Sequence, residues 1–564
     1  MIQKSEFYKD LIVRLAILIP PFIFFWMFFK YTVDIPVNDD YNAILDFINK
    51  YIESGTLSEK IRLIFSQHNE HRIVYDRLWT IICYKIFGQV NFNYLSLIGN
   101  LSLIGFFWIF YKKIKEINIE LFFLIPISVL IFNLTFHENM TFAMATMSNL
   151  TGLLFSLLSL YFITKYDISI KDFLFSTLFF SISIFTQGAG LFLVPILVAI
   201  LIFRKKWNYL GYLSIIIIII LAVYFYQYEK PIQSPILIDT LKYFKVKSLL
   251  FAFAFLGSAF NYNMIFTNDI SDSTGITTII GFSFFILYLY ILKSHYYKKN
   301  LFIFSVMTLI LVTSFATALT RSQLGIDTAG SSRYRISSVV LLISIYFWFI
   351  ETFKIETKIM KVTLLSASLL YFCFINLIHY EYLYFREKAL CFGVLNFHSG
   401  DYSKLYGFEQ ELYNEKLIES YHKKTYFLPS YNSLREFFPI SEHSPNLIKY
   451  QEKEEINYNI ESITKIKDGY LIEGWIFLDG INTNNQSVFI ALKNNKTNGL
   501  KFFTSKQILR FDLNPYFKKN GLKYGGFLAR INDSEFEIGE NEIHLLLNLN
   551  DQNLLKKTNN KIVK

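Results

Sequence analysis

The chain has 564 residues, is 53% hydrophobic and 18% charged, and has a mean hydropathy of +0.34. Apolar runs of about 20 residues recur through most of its length, which a hydrocarbon layer of roughly 30 Å demands and a soluble core does not; a soluble globular protein is thereby excluded. The net charge of +10 carries no nucleic-acid signature, and in a membrane chain the placement of Lys and Arg sets orientation more than their total does.

Lys4, Lys9 and Arg14 precede or open the first apolar run, 11–29, and point to a cytoplasmic N-terminus. That run is too long for a signal-peptide core and no small-residue cleavage site follows it, so it reads as a retained anchor. The next stretch, 31–90, then lies outside. It shows helical spacing over 41–51 and 58–65, and Ile73, Val74, Leu78, Ile81 and Ile82 form an apolar stripe at helical period. The pattern predicts helices lying along the membrane face.

Further spans are predicted at 92–110, 119–136, 146–163, 173–185, 191–203 and 209–228, with Lys112, Lys113 and Lys115, and then Arg204, Lys205 and Lys206, as inside markers. Thr186-Gln187-Gly188-Ala189-Gly190 reads as a tight outer turn. The run 249–266 is broken by Gly257-Ser258. It is predicted to dip into the outer leaflet, because a full crossing would place Lys298 and Lys299 outside. Spans at 276–292, 302–319, 336–350 and 362–378 complete a polytopic α-helical bundle of about 11 crossings. They expose 321–335 on the outer face and leave everything beyond Tyr380 outside.

Residues 381–455 read as a partly helical juxtamembrane connector, with a helical piece at 403–421. From Tyr458 the pattern alternates at period two, over 470–477, 488–492, 527–531 and 543–547, with turns at Asp468-Gly469, Asp479-Gly480 and Asn520-Gly521. This predicts a small antiparallel β-sandwich over 456–564, after a membrane domain at 1–380. Cys83 and Cys373 lie in apolar stretches and Cys391 follows the last span; with no CxxC pair, no disulfide or thiolate–metal framework is implied.

The groups suited to chemistry concentrate in the first outer loop. Asp39 and Asp40 follow Pro36 just outside the first span. Adjacent carboxylates there suit a general base, a divalent-cation ligand pair, or the cap of a helix starting near Tyr41. His68, Glu70, His71 and Arg72 come next, with His68, His71 and Arg72 predicted to share a helix face. They fit structural hydrogen bonding or contact with a substrate phosphate, and less well a metal, since two imidazoles and one acid are a thin zinc set. His137-Glu138-Asn139 stands at an outer helix end, as an interfacial turn or as part of the same cavity. Arg321, Arg333 and Arg335 fall at outer ends of spans, against the orientation bias; each suits bidentate contact with a phosphate or snorkelling to a headgroup. The β region has scattered acids and fits binding or packing. The middles of the spans are almost free of charge, which counts against a transporter or flippase.

With a first span, a long outer loop carrying Asp39-Asp40, surface helices and then many spans, the architecture of 1–380 resembles the GT-C superfamily of integral-membrane glycosyltransferases. The segment Phe65-Ser66-Gln67-His68-Asn69-Glu70-His71-Arg72, with His137-Glu138-Asn139, Gln187-Gly188-Ala189-Gly190 and Ser332-Arg333-Tyr334, is similar to stretches in bacterial members of that group. Glu473-Gly474-Trp475, Arg510-Phe511-Asp512-Leu513 and Gly526-Phe527 resemble β-sandwich modules appended to surface-polysaccharide enzymes. The resemblance implies a bacterial plasma-membrane enzyme with its site and β domain extracytoplasmic. It implies transfer, usually with inversion, of a sugar from a polyprenyl-phosphate donor to a glycan or lipid-linked acceptor. Asp39 or Asp40 is then the base, with Asp40 slightly preferred, and Arg333, Arg335 and Arg72 stabilise the departing phosphate. Some members need a divalent cation and others do not; here a second acidic ligand set is not evident. A polysaccharide polymerase or ligase of similar topology is the alternative, relying on outer-loop Arg and His.

Overall fold

The computed structural model describes residues 2–564 apart from 230–245, 263–269, 354, 356, 399–409, 431–440, 443–448, 467, 511 and 550–551. The expected loop prolines Pro231 and Pro235, and the 403–409 part of the predicted connector helix, lie outside the described residues. The chain divides into two compact units, 1–264 with 269–384 and 415–427, and 265–268 with 385–414 and 428–564.

In chain order the first helices are α1 (Ile2–Tyr31), α2 (Phe47–Glu53), α3 (Leu57–Ile64) and α4 (Val74–Phe87). They are followed by α5 (Phe92–Glu116), α6 (Leu121–Thr141), α7 (Ala143–Ile163), α8 (Ile170–Ile184), α9 (Gly188–Phe203) and α10 (Trp207–Phe225). Then come α11 (Val246–Leu256), α12 (Ile270–Lys293), α13 (Leu301–Leu324), α14 (Ser332–Phe353), α15 (Lys358–His398) and α16 (Gln410–Lys423). Among the described residues nine helices are long and apolar enough to cross a bilayer: α1, α5, α6, α7, α10, α12, α13, α14 and α15. The chain is therefore a multi-pass membrane protein. α8, α9 and α11 are shorter. With 11 residues, α11 reaches about 16 Å at 1.5 Å per residue, short of a roughly 30 Å hydrocarbon layer.

Phe24, Phe106, Phe136, Leu160, Met307 and Phe347 are buried in one continuous apolar cluster. α6 is the innermost span, 83% buried over its most apolar window, whereas α10 and α12 are 17% buried and present their Ile, Leu and Phe side chains outward. α11 and α12 meet backbone to backbone. A Cβ on Gly257 would stand 2.0 Å from the Thr277 carbonyl oxygen, and one on Gly281 1.8 Å from that of Phe253, so only glycine permits this approach.

The stretch between α1 and α5 forms no crossing. α3 starts at a capping box in which Thr56 and Glu59 satisfy each other's backbone N–H. Leu57 and Ile61 on α3, and Leu78, Ile82 and Ile86 on α4, face outward at helical period. That exposed apolar surface is what helices resting on a membrane face require. Residues 415–427 return to brace this stretch: Asn49 donates to the Ser420 hydroxyl (3.0 Å), Val90 N–H to the Thr425 carbonyl (2.8 Å) and the Tyr426 hydroxyl to the Asp34 carbonyl (2.7 Å).

The second unit carries two sheets, built from β1 (Gln451–Glu452), β2 (Ile456–Ile466), β3 (Gly469–Leu478), β4 (Gln486–Asn494), β5 (Leu500–Thr504), β6 (Lys506–Ile508), β7 (Gly526–Asn532), β8 (Glu540–Leu549) and β9 (Gln552–Val563). Their orders are β1-β9-β8-β4-β5 and β2-β3-β7-β6. Pairing is antiparallel except for the two-residue β1, which runs parallel to β9. Ile472, Ile476, Phe527 and Ile531 of one sheet share a buried cluster with Ile490, Leu492, Leu545 and Leu547 of the other.

Candidate functional site

The loop after α1 is fixed from both ends. The Asp34 carboxylate accepts from Phe92 N–H (2.7 Å) and the Asn91 amide (2.9 Å), which ties the loop to the start of α5. Burial raises its carboxyl to about 7, although the Phe92 N–H acts against it. Asn38 adopts a φ of +47°, a left-handed conformation that asparagine tolerates, and the turn sends its two neighbouring acids to different environments. Asp40 is 1% exposed; one carboxylate oxygen accepts from Val37 N–H (3.0 Å) and the other from Met144 N–H (2.9 Å). Asp39 is half-exposed, and its carboxylate faces Arg333 at 4.0 Å.

The segment expected to place His68, His71 and Arg72 on a helix face is instead a tight turn. His68 and His71 exchange backbone hydrogen bonds (2.8 and 2.9 Å) around Asn69, whose φ of +47° a continuous helix does not accommodate. Burial holds both rings below the ordinary histidine pKa, while the Asp39 carboxylate acts on both in the opposite sense. His71 Nδ1 is buried without a hydrogen-bond partner. It lies against Gly188, where an added Cβ would stand 2.7 Å from that nitrogen. Glu70 pairs with Arg321 at 2.7 Å. Burial acts to raise its carboxyl, but the Coulombic effects of His71 and Arg321 outweigh it and hold it below the usual carboxylate range.

The arginines separate by what their N–H groups already bind. Arg72 donates to the carbonyls of Tyr224, Phe65 and Tyr226, and Arg77 to those of Leu63, Ile64 and Ser66; both clamp backbone. Arg335 is fully engaged inside the bundle, donating to the Gly330 carbonyl (2.8 Å), the Thr135 carbonyl (3.1 Å) and Asn261 (3.0 Å), with His379 Nε2 at 3.1 Å. His137 is buried beside it, its ring 3.9 Å from Tyr382 and 4.9 Å from His379 between centroids. Arg333, in the same turn of α14, is different. Its guanidinium lies 3.6 Å from Glu138 and 4.0 Å from Asp39, beyond hydrogen-bond range of either, and is 41% exposed.

The structure thus brings Asp39, Glu138 and Arg333 together, with Glu70, His71 and His68 within electrostatic reach of Asp39 or its neighbours. Asp40, Arg72, His137 and Arg335 are buried and hydrogen-bonded within the protein. Asn149, which the sequence did not single out, and Asp76, from the first outer stretch, also stand here. Asn149 lies in a wide π turn, Thr146–Thr151. Asp76 is fully buried, accepts from Ser148 (3.0 Å) and has a second oxygen with no partner; burial raises it to about 8, against the Ser148 bond. The available signal for Asn149 was a polar side chain inside an apolar span. Among the described residues no group of three or more His, Cys, Asp or Glu side chains is placed to hold a metal ion.

The chain matches no protein-family model, no curated protein and no solved structure.

Proposed function

We propose that the protein is a membrane glycosyltransferase of GT-C type that moves a sugar from a polyprenyl-phosphate carrier to a hydroxyl acceptor on the extracytoplasmic face of a bacterial plasma membrane. One observation carries the reading. A carboxylate from the first loop, Asp39, and an arginine with undirected N–H groups, Arg333, face each other at 4.0 Å although 294 positions separate them in the chain.

Transfer from a prenyl phosphate requires a base for the acceptor hydroxyl and a cation for the departing phosphate. Asp39 deprotonates the hydroxyl, whose oxygen attacks the anomeric carbon; the bond from that carbon to the phosphate oxygen breaks, and the charge passes to a phosphate held by Arg333. Glu138, on the other side of the same guanidinium, orients it. The proton then leaves Asp39 to solvent. The two-sheet C-terminal unit, read as a β-sandwich, holds acceptor glycan.

The test is conversion of a panel of prenyl-phosphate hexoses and pentoses by the purified full chain in proteoliposomes, followed by mass spectrometry of released prenyl phosphate. Release that requires an acceptor supports the reading. No release from any donor, with a folded protein and acceptor glycans present, refutes it.

A further inference from the structure

The turn Gln187-Gly188-Ala189-Gly190 has no role in the mechanism above, yet Gln187 begins a chain of three side-chain amides that ends on Arg333. Gln187 Nε2 donates to Asn149 Oδ1 (2.7 Å), Asn149 Nδ2 to Asn139 Oδ1 (3.0 Å), and Asn139 Nδ2 to the Arg333 carbonyl (3.0 Å). The last partner dictates the direction of all the others. A backbone carbonyl only accepts, so Asn139 must turn its NH2 toward Arg333 and its oxygen toward Asn149. Asn149 must then present its NH2 to Asn139 and its oxygen to Gln187.

Two features show that this chain is built rather than incidental. Asn139 is fully buried, where an unmatched amide is costly. Asn149 lies on the π turn Thr146–Thr151, a rare irregularity that occurs frequently at functional sites. The adjacent residue on that turn, Ser148, is anchored separately on Asp76 (3.0 Å). At the far end, Glu138 N–H donates to the Ser332 hydroxyl (3.1 Å), so Ser332 is tied to the Glu138 backbone and Asn139 to the Arg333 backbone.

We infer that Gln187, Asn149 and Asn139 are positioning residues: a one-way amide relay that holds the first turn of α14 so that the Arg333 guanidinium is aimed at a lipid-linked phosphate. This rests on the proposed role of Arg333.

The direction of the relay supplies a test that ordinary packing would not pass. Gln187→Glu keeps the shape but replaces the donor with an acceptor. Asn149 must then turn its NH2 toward position 187, Asn139 must follow, and an oxygen meets the Arg333 carbonyl. Gln187→Ala removes only the outermost bond and leaves the direction intact. The isosteric change is therefore the more harmful one.

The experiment measures binding of farnesyl monophosphate to the full chain in detergent, with melting temperature and monodispersity recorded for each variant. Gln187→Glu weakens binding about tenfold, the effect of about one hydrogen bond, while Gln187→Ala changes it less than about threefold. Asn149→Asp, which forces the same reversal from the middle of the chain, matches Gln187→Glu. On an Arg333→Ala background, itself weakened, Gln187→Glu adds no further loss because both act on one contact.

Equal effects of Gln187→Glu and Gln187→Ala, or an additive loss in the double variant, overturn the relay while leaving the phosphate role of Arg333 in place. Wild-type binding by Arg333→Ala overturns both. If Gln187→Glu fails to fold, Asn149→Asp set against Gln187→Ala makes the same comparison.

Discussion

Arg333 and Arg335 lie in one turn of α14 and invite the same interpretation from sequence, but the structure separates their consequences sharply. Residues two apart on a helix point about 200° apart around its axis. Arg335 is buried and directs its N–H groups at Gly330, Thr135, Asn261 and His379. Removing such a group strands buried acceptors at about 1–3 kcal/mol each when unsatisfied, so Arg335→Ala is expected to cost on the order of 3–5 kcal/mol. Arg333 makes only long ion pairs, at 3.6 and 4.0 Å, between half-exposed groups. Such pairs contribute about 0–1 kcal/mol after solvent screening. Arg333→Ala is thus expected to keep the wild-type melting temperature and to lose prenyl-phosphate binding by about ten- to a hundredfold, the worth of a charge-assisted hydrogen bond. Melting in detergent, followed by native tryptophan fluorescence, and farnesyl monophosphate binding on the same preparations make the comparison. Equal destabilisation by the two substitutions, or a stable Arg335→Ala, would refute the division between a packing arginine and a ligand arginine.

Asp40→Asn is expected to destabilise by about 1–3 kcal/mol, because one acceptor oxygen facing Val37 or Met144 N–H becomes a donor; unaltered melting would count against this. Asp76 should impose a pH dependence on stability. Its carboxyl titrates near 8 when folded and near 3.9 when unfolded, so the folded state holds the proton more tightly. That stabilisation is complete below about pH 4 and is lost as pH rises toward 8, by on the order of a few kcal/mol. Asp76→Asn should flatten this slope in melting curves between pH 5 and 8, and an unchanged slope would exclude Asp76 as its source. Gly188→Ala would press a methyl to 2.7 Å from His71 Nδ1 and 3.0 Å from the Tyr224 hydroxyl, so reduced turnover with little loss of secondary structure by circular dichroism is expected. Gly281→Ala, against the Phe253 carbonyl, should lower the melting temperature, since overpacking costs about 1–3 kcal/mol.

Much of the membrane architecture was legible because hydrocarbon thickness imposes length directly on sequence. The period-two strands after Tyr458 were equally plain, down to turns such as Asp479-Gly480, where Gly480 takes a φ of +81°. The site was legible as a set of residues and not as an arrangement. Asp39 and Asp40 are indistinguishable by type; what separates them is the Met144 N–H, 104 positions away, aimed at Asp40. The His68–Arg72 segment read as helical because spacing alone cannot reveal the left-handed Asn69 that closes it into a turn. Arg72 resembled a phosphate ligand because nothing in its neighbourhood announces that the carbonyls of Tyr224 and Tyr226, at the end of a distant span, will occupy it. The bracing of the first loop by Ser420, Thr425 and Tyr426 was hidden for the same reason: the partners lie 335 to 392 positions apart.

The most direct measurement compares Asp39→Asn with wild type in release of prenyl phosphate from a prenyl-phosphate sugar donor, by full-length protein in proteoliposomes. The account predicts that the Asp39→Asn protein folds and still binds farnesyl monophosphate, while its transfer rate falls by at least about a hundredfold, as loss of a general base implies. Turnover at the wild-type rate by the Asp39→Asn protein would contradict it.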